Sequence, residues 1–252
     1  RLTERTDLED VHHRTLQTTG IGESNLQEKI GDLSDLLDDS LHLAYLPSTS
    51  GVRLRLTADG TDAAAADTRL NGLEERLRER AGRYIFGTGT DTLEGVLGDH
   101  LRERGLTVAT AESATGGYLG HRLTRFGGSS DFFVGGIIAY ANAVKHSQLG
   151  VAEDTLDAHG AVSQPVAEHM AVGVREALGA DVGISTTGIA GPGGGTSEKP
   201  VGTVWVGYAD AETVTARRFQ FVTDRQLNKE LFSTAALEMI RRHLMRTTAA
   251  DA

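Results

Sequence analysis

Hydrophobic residues in the first third of the chain recur with two different periods. In "NLQEKIGDLSDLLD" and "TRLNGLEERLRER" they fall three or four residues apart, which predicts helices over residues 25–38 and 68–80. "LHLAYLP" and "VRLRLTADG" have strand-like patterns, the second with clear alternation of apolar and polar positions. The helical positions are Leu26, Ile30, Leu33, Leu37, Leu70, Leu73 and Leu77. We therefore predict a small α+β domain over residues 1–88, which ends at the glycine- and threonine-rich "FGTGTDT".

From residue 89 onward, strand and helix patterns alternate. A helix over residues 92–104 comes first, and Ser163 with Pro165 marks the start of a later one. Thr223 and Gln226 have the spacing of a capping box ahead of the last helix. The predicted strands are "LTVATA", "FFVGGIIAY", "DVGISTTGIA", "GTVWVGYA" and "TVTARRFQF". This order favours an α/β fold over residues 89–252, a layered α/β/α domain with a mixed sheet.

The composition of the chain excludes several kinds of site. Because the 252 residues include no cysteine, disulfides, zinc ribbons and thiol catalysis are excluded. The nine histidines show no close metal-ligand spacing, so we expect no metal and no cofactor. Apolar runs are too short for a membrane-spanning helix, which needs about 20 residues, and we expect a cytoplasmic protein with no membrane partner. The chain opens on Arg1 rather than Met, and we expect that a preceding domain is missing from it.

Negative charge is concentrated in the first part of the chain. The net charge of −10 arises from 19 acidic and 11 basic residues at positions 1–100, and from 16 acidic and 14 basic residues at positions 101–252. An acidic surface repels the phosphate backbone of nucleic acids. We therefore expect no nucleic-acid partner for the first domain.

Three polar or glycine-rich turns follow predicted strands, where ligand crevices form in α/β sheets. In the first, "AESATGG", Glu112 and Ser113 precede a predicted helix whose free N–H groups can hold an oxyanion or a phosphate. Ser113 is either a nucleophile or, like Thr115, a cap of that helix. This stretch alone favours the cap.

The second turn, "AYANAVKHSQLGV", offers Tyr140, Asn142 and Lys145 just beyond a predicted strand. Lys145 is either a solvated surface charge or a general base, and the second role requires that burial or nearby positive charge lowers its pKa from about 10.4. A serine activated by such a lysine is an alternative to the histidine triad.

The third turn, "TTGIAGPGGGTSEKPVGTV", contains more glycine than a hairpin loop requires. It lacks the Gly-Lys-Ser/Thr ending of a P-loop, which disfavours an NTPase. A mobile hairpin and close backbone approach to a ligand are the two readings, and the glycines favour the second. Arg225, in the first turn of the last predicted helix, is disfavoured there by the helix dipole and indicates an anionic partner, or else simple solvent exposure.

Taken together, "AESATGG", "GGIIAYANAVKHSQLGV", "HGAVSQPVAEHMA" and "TGIAGPGGGTSEKPVGTVW" closely resemble the carboxy-terminal domain of the CinA family, the nicotinamide mononucleotide deamidases also called PncC. The resemblance runs from about residue 92 to residue 246. Residues 8–88, with "TTGIGES" and "YLPSTSGVRLRLTA", resemble the KH-type domain that precedes it in full-length members. No G-x-x-G clamp of nucleic-acid-binding KH modules occurs between residues 1 and 90, so we treat this domain as a spacer or dimer contact.

The resemblance implies hydrolysis of the carboxamide of nicotinamide mononucleotide to nicotinate mononucleotide and ammonia. It implies Ser113 and Lys145 as the central catalytic pair with Tyr140 beside them, and a homodimer that binds a small nucleotide substrate. Our hypothesis is that Glu112 senses the positive ring. The expected substrate-binding residues are Glu112, Thr115, Gly116, Gly117, Asn142, Thr187, Gly188, Gly191, Gly193, Gly194 and Arg225.

The sequence departs from the family pattern beside these residues. Ala114, Ala141 and Ala143 replace the usual cysteine, serine and glutamate, and Thr223 replaces the glycine of "GDR". None of these changes removes a proposed catalytic group, although two of them delete polar atoms near Lys145. The alternative function is a non-catalytic nucleotide-binding or protein-interaction module linked to competence or the DNA-damage response.

Overall fold

The computed structural model describes residues 11–60, 62–221 and 224–250, with side chains as far as residue 245. Its contacts divide the chain into two compact units, one ending at Thr92 and the other beginning at Leu93. The sequence placed the boundary slightly earlier, between residues 88 and 89. Each unit has its own hydrophobic core.

The first unit is a four-stranded antiparallel sheet covered by two helices. The strand order is β2-β3-β1-β4, and the core between sheet and helices includes Leu16, Leu54 and Leu73, all fully buried. The strands are β1 (Val11–Thr18), β2 (Leu41–Ser48), β3 (Gly51–Asp59) and β4 (Ile85–Thr88), and the helices are α1 (Glu23–Ile30) and α2 (Ala63–Ala81). The α+β class is confirmed, but β1 and β4 were missed by the sequence analysis.

The predicted helix over residues 25–38 is too long. Helix α1 ends at Ile30 because Gly31 has φ +68°, a left-handed conformation in which the chain leaves the helix. Leu33 is nevertheless buried and Leu37 packs against the same core, so the helical spacing of leucines continues beyond the helix. Helix α2 instead begins earlier than predicted, because the Asp62 side chain accepts hydrogen bonds from the amides of Ala64 and Ala65.

The second unit is built on a five-stranded mixed sheet of order β6-β5-β7-β8-β9. Strand β5 is parallel to β6 and β7, whereas β7, β8 and β9 are joined antiparallel. The strands are β5 (Val108–Glu112), β6 (Phe133–Ile138), β7 (Val182–Gly188), β8 (Thr203–Ala209) and β9 (Val214–Gln220). The helices are α3 (Leu93–Glu103), α4 (Tyr118–Leu123), α5 (Asn142–Leu149), α6 (Glu153–His159), α7 (Gln164–Leu178) and α8 (Arg225–Ala250).

Helices α7 and α8 lie on opposite faces of this sheet. A Cβ on Gly207 would meet the Ala167 carbonyl oxygen of α7, whereas the next residue, Tyr208, stacks its ring on His243 of α8 at 3.9 Å between centroids. Successive residues of a strand point to opposite faces, so the two helices sandwich the sheet. The predicted layered α/β/α fold with a mixed sheet is therefore confirmed.

The last helix begins at a cap different from the predicted one. The Asp224 carboxylate accepts hydrogen bonds from the amides of Gln226 and Leu227, at 2.9 and 3.0 Å, and so caps α8. Thr223, the predicted cap, lies outside the described residues. Among the residues that the structure describes, no helix combines the length and the apolar character needed to cross a membrane.

Candidate active site

The turns that follow β5, β6 and β7 meet around one pocket of about 250 Å³. The carboxyl ends of the three parallel strands lie at the same edge of the sheet, as the sequence analysis expected. Loop residues before α7 and the first residue of α8 complete the wall. The lining residues are Ser113, Ala114, Tyr140, Asn142, Lys145, Ala161, Val162, Thr187, Gly188, Ala190 and Arg225.

Lys145 is a buried amine rather than a surface charge. Only 1% of its surface is exposed, and this burial lowers the pKa of its ammonium group to about 8. Its Nζ donates hydrogen bonds to the carbonyl oxygens of Ala139 and Tyr140, at 2.9 and 3.2 Å. In the part of the chain that the structure describes, no carboxylate lies within ion-pairing distance of it.

The two carbonyl partners orient the Lys145 amine. A neutral amine has two N–H donors and one lone pair, so two carbonyl acceptors leave the lone pair for another direction. Because Lys145 lines the pocket, that direction is available to a proton donor in the pocket. The site can therefore hold Lys145 as an unprotonated base slightly above neutral pH.

Ser113 is the first residue after β5 and is half-buried in the same pocket wall. Its amide donates to the Thr186 carbonyl oxygen at 2.9 Å, which extends the pairing of β5 with β7 and fixes the backbone at the nucleophile position. Within the described residues, Lys145 Nζ makes its hydrogen bonds to backbone carbonyls and none to the Ser113 hydroxyl. Such nucleophile–base contacts are often long before a substrate binds.

Arg225 links three parts of the pocket rim. Its two terminal nitrogens donate to the Gly191 carbonyl oxygen at 2.7 Å and to the Tyr140 hydroxyl at 2.9 Å. A guanidinium has five N–H donors, so these two bonds leave donors for a ligand. Because Tyr140 accepts from Arg225 and is 62% exposed, its own hydroxyl proton is also available at the rim.

The Glu112 carboxylate is hydrogen-bonded to the backbone of the turn that follows β5. Its carboxylate is 98% buried and accepts hydrogen bonds from the amides of Gly117, Leu119 and Gly120 at 2.8–3.0 Å. These are the amides at the start of α4 that we expected to hold an oxyanion or a phosphate. The protein's own carboxylate already occupies that position, and Glu112 does not line the pocket that would hold a ring.

Thr115, Gly116 and Gly117 also shape the turn and lie outside the pocket lining. The Thr115 hydroxyl is hydrogen-bonded to that of Thr186 at 2.7 Å, with both side chains buried. Gly116 and Gly117 have φ values of +59° and +93°, which a side chain would strain. The turn therefore depends on these residues for its shape.

The glycine-rich loop contributes only its first residues to the pocket. Thr187 and Gly188 line it, and the Thr187 hydroxyl donates to the Ala161 carbonyl oxygen at 2.7 Å, which supports the opposite wall. Gly191 packs against Val201, where a Cβ would approach to 2.6 Å. Gly193 and Gly194 are exposed and lie outside the lining.

The small apolar part of the wall has no signature in the sequence. Ala161, Val162 and Ala190 line the pocket but carry no polar group that a sequence pattern could identify. Asn228 is fully buried in α8 and donates to the Ala190 carbonyl oxygen at 3.0 Å, so a buried amide holds one side of the loop. Among the described residues, no three histidine, aspartate or glutamate side chains are grouped closely enough to hold a metal ion.

Comparisons with known proteins agree with this architecture. Residues 90–244 match the CinA C-terminal domain, and residues 13–87 match the KH domain of the damage-inducible protein CinA. A CinA-like protein of Salinibacter ruber is 63% identical over 244 residues, 97% of this chain and 59% of that protein. A CinA-like protein of Chloroherpeton thalassium is 47% identical over 92% of this chain and 56% of its own length. The chain thus spans somewhat more than half the length of these relatives.

Two solved structures of competence- or damage-related proteins are also similar to this chain. The competence/damage inducible protein CihA of Agrobacterium tumefaciens is 36% identical and superposes with a TM-score of 0.59, over 60% of this chain and 92% of its own. An Escherichia coli protein of the competence-damaged (CinA) superfamily is 32% identical with a TM-score of 0.57, over 61% of this chain and 91% of its own.

Proposed function

The chain belongs to the CinA family, and on that premise we propose that its second unit hydrolyses the carboxamide of nicotinamide mononucleotide to nicotinate mononucleotide and ammonia. The observation that supports the proposal most directly is Lys145, a buried amine with a pKa lowered to about 8, in the same pocket as Ser113. A lysine held in that state can remove the proton of a serine hydroxyl near neutral pH.

In the first half of the reaction, Ser113 Oγ attacks the carboxamide carbon while Lys145 Nζ accepts the hydroxyl proton. The positively charged pyridinium ring withdraws electrons from the carboxamide and makes its carbon easier to attack. The charge that develops on the carboxamide oxygen needs a donor. Ala114 lines the pocket, and its amide has no acceptor among the described residues. Loss of one such donor typically costs about 3 kcal/mol of transition-state stabilisation.

In the second half, the intermediate breaks down in two steps. Lys145 returns its proton to the departing nitrogen, ammonia leaves, and an ester joins Ser113 to the nicotinate acyl group. A water molecule then attacks this ester, Lys145 takes a proton from that water, and the Ser113 oxygen leaves with the proton. Lys145 thus serves as base and acid in alternation, which a pKa near neutrality favours.

The other lining residues position the substrate. The Tyr140 hydroxyl accepts a hydrogen bond from Arg225 at the rim, and Asn142, at the start of α5, lines the same pocket. Thr187 supports the opposite wall, because its hydroxyl donates to the Ala161 carbonyl oxygen rather than to a group in the pocket. We assign Tyr140, Asn142 and Arg225 to substrate binding, and Thr187 to support of the opposite wall.

Ammonia release from nicotinamide mononucleotide tests the proposal. We expect release by the wild-type chain, loss of more than about 99% of kcat in Ser113→Ala and Lys145→Met, and unchanged release in Ser147→Ala, an exposed serine on α5. The Ser113 and Lys145 variants should lose similar amounts, because the two groups act as one unit. Full activity of either variant would contradict the mechanism.

The alternative is a nucleotide-binding module without turnover. It gains support from the Lys145 amine, whose hydrogen bonds within the described residues go to backbone carbonyls rather than to Ser113. Calorimetric binding of nicotinamide mononucleotide by the wild-type chain, together with no ammonia release, would favour this alternative over the hydrolase.

A further inference from the structure

Of the positions at which the sequence predicted anion binding, the start of α4 is occupied, Gly193 and Gly194 lie outside the pocket lining, and Arg225 lines the pocket. The amides at the start of α4 donate to the buried Glu112 carboxylate, and a second anion there would meet that negative charge. Gly193 and Gly194 are exposed outside the pocket lining. An anionic group of a substrate therefore needs cations from another part of the rim.

Two such cations lie one turn apart at the start of α8. Arg225 lines the pocket, and Lys229 is four residues further along the helix, about 6 Å along its axis and on the same face. The Lys229 ammonium lies 4.0 Å from the position that a Cβ on Gly116 would occupy. It therefore lies beside the turn whose earlier residues, Ser113 and Ala114, line the pocket.

Lys229 has no counter-charge in the part of the chain that the structure describes. Arg122, by contrast, reaches the same face of the sheet and is paired with Glu94 at 2.7 Å. The carboxylate at the start of α8, Asp224, is engaged with the amides of its own helix. Gly116, next to Lys229, is exposed, and its amide donates to no acceptor among the described residues.

We infer that Lys229, which lies beside the pocket, binds phosphate and, with Arg225 and the Gly116 amide, makes the site select a phosphate monoester over the corresponding nucleoside. The inference rests on the proposed function for the identity of the substrate. Two cations one helical turn apart match the two charges of a phosphate monoester at neutral pH, and an exposed backbone amide adds a directional donor. The lysine acts as a point charge, so arginine can replace it in part.

The test separates phosphate recognition from turnover. Ammonia release is measured with nicotinamide mononucleotide and with nicotinamide riboside, which lacks the phosphate, in Lys229→Met, Lys229→Arg and the control Lys29→Met in α1. We expect Lys229→Met to raise KM for the mononucleotide at least tenfold, with kcat and the kinetics of the riboside nearly unchanged. Lys229→Arg should restore most of the loss, and Lys29→Met should behave as wild type.

A second measurement keeps the inference testable if turnover is absent. Binding of ribose 5-phosphate, followed by calorimetry, should weaken at least tenfold in Lys229→Met and remain near wild type in Lys29→Met. An unchanged affinity, or a wild-type chain that does not bind ribose 5-phosphate, would overturn the phosphate site whatever the fate of the hydrolase. Equal losses for the mononucleotide and the riboside would also overturn it, because they would indicate a structural role for Lys229. If the chain binds ribose 5-phosphate as expected but releases no ammonia, the proposed hydrolysis is contradicted and the phosphate site is still supported.

Discussion

The properties of Lys145 follow from its position in the fold. The residue lies in the first turns of α5, directly after β6, with the Ala139 and Tyr140 carbonyls beside its amine. Burial removes water from the ammonium group, and no carboxylate in the described part of the chain takes its place. The neutral amine is therefore favoured over the ammonium form. The same residue on an exposed face would be fully protonated at neutral pH and would be unable to accept the Ser113 proton.

The lowered pKa of Lys145 predicts the pH dependence of the reaction. Only the neutral amine accepts the Ser113 proton, so kcat/KM should rise about tenfold per pH unit below pH 8 and level off above it. The measurement is kcat/KM for ammonia release between pH 6 and pH 10, with substrate stability as the control. A rate that falls with rising pH over this range would contradict the role of Lys145 as a base.

The pKa of Lys145 also predicts a pH dependence of stability. The folded state has the lower pKa, so the unfolded state binds more protons between about pH 8 and the usual lysine value, and stability rises with pH there. The free energy of unfolding of wild type, relative to Lys145→Met, should therefore increase by about 1 kcal/mol per pH unit from pH 8 to pH 10. Urea unfolding of both chains at these pH values checks this, and a constant difference would show that the amine keeps its ordinary pKa.

The buried Glu112 carboxylate predicts a large loss of stability upon neutralisation. Glu112→Gln keeps one acceptor but places an amide N–H₂ against backbone donors, so we expect a loss of about 2–3 kcal/mol in the second unit. Glu176→Gln is the matched control, because Glu176 is exposed on α7 and should change stability by less than about 0.5 kcal/mol. Equal stability of the two variants in urea unfolding would show that Glu112 does not hold the turn.

At the residue scale, the sequence identified the chemical groups better than the backbone contacts. Ser113, Tyr140 and Lys145 were singled out at strand ends and Arg225 at the start of the last helix, and the structure places all four around one pocket. The contacts of Glu112 could not be predicted in the same way, because they depend on the path of the following turn. That path requires positive φ at Gly116 and Gly117. The sequence shows that two glycines are present but not which φ values they adopt.

At the scale of single elements, α5 begins without a side-chain cap. Ala141 occupies the N-cap position with φ −83° and ψ 152°, an extended conformation in which a serine side chain could accept an amide of the first turn. Ala141→Ser should therefore stabilise the second unit by about 1 kcal/mol. Ala143→Ser, inside the same first turn, is the control and should be neutral or slightly destabilising. Equal thermal unfolding midpoints for the two variants would contradict the capping argument.

The elements that the sequence missed or extended have physical reasons. Strand β4 has only four residues, and β1 pairs with partners that lie far along the chain, Arg53–Asp59 and Ile85–Thr88. Such pairing leaves little local signal. Helix α4 has only six residues, because Gly117 has φ +93° at its start and the helix ends at Leu123. Long helices with a buried stripe, such as α7, were predicted correctly because periodicity is a local property.

At the scale of the whole molecule, two separate cores predict that substitutions act on separate unfolding transitions. A Cβ on Gly207 would lie 2.2 Å from the Ala167 carbonyl oxygen and 2.5 Å from the Ser185 hydroxyl, so Gly207→Ala should destabilise the second unit by about 2–3 kcal/mol. Gly72, exposed in α2, has nothing within 4 Å of that position, so Gly72→Ala should stabilise the first unit by about 1 kcal/mol. Tryptophan fluorescence of Trp205, in β8, should report the first change and not the second.

The division into two units also predicts that the second unit works alone. All residues that line the pocket lie beyond residue 92, and the Agrobacterium tumefaciens relative is covered over 92% of its length by a match of 60% of this chain, an extent close to that of the second unit. A chain of residues 90–252 should therefore fold cooperatively and release ammonia from nicotinamide mononucleotide with the kcat and KM of the longer chain. Circular dichroism and the ammonia assay check the two parts separately. A fragment that folds but does not turn over would show that the first unit contributes to catalysis, whereas one that does not fold would show that the second core depends on the first.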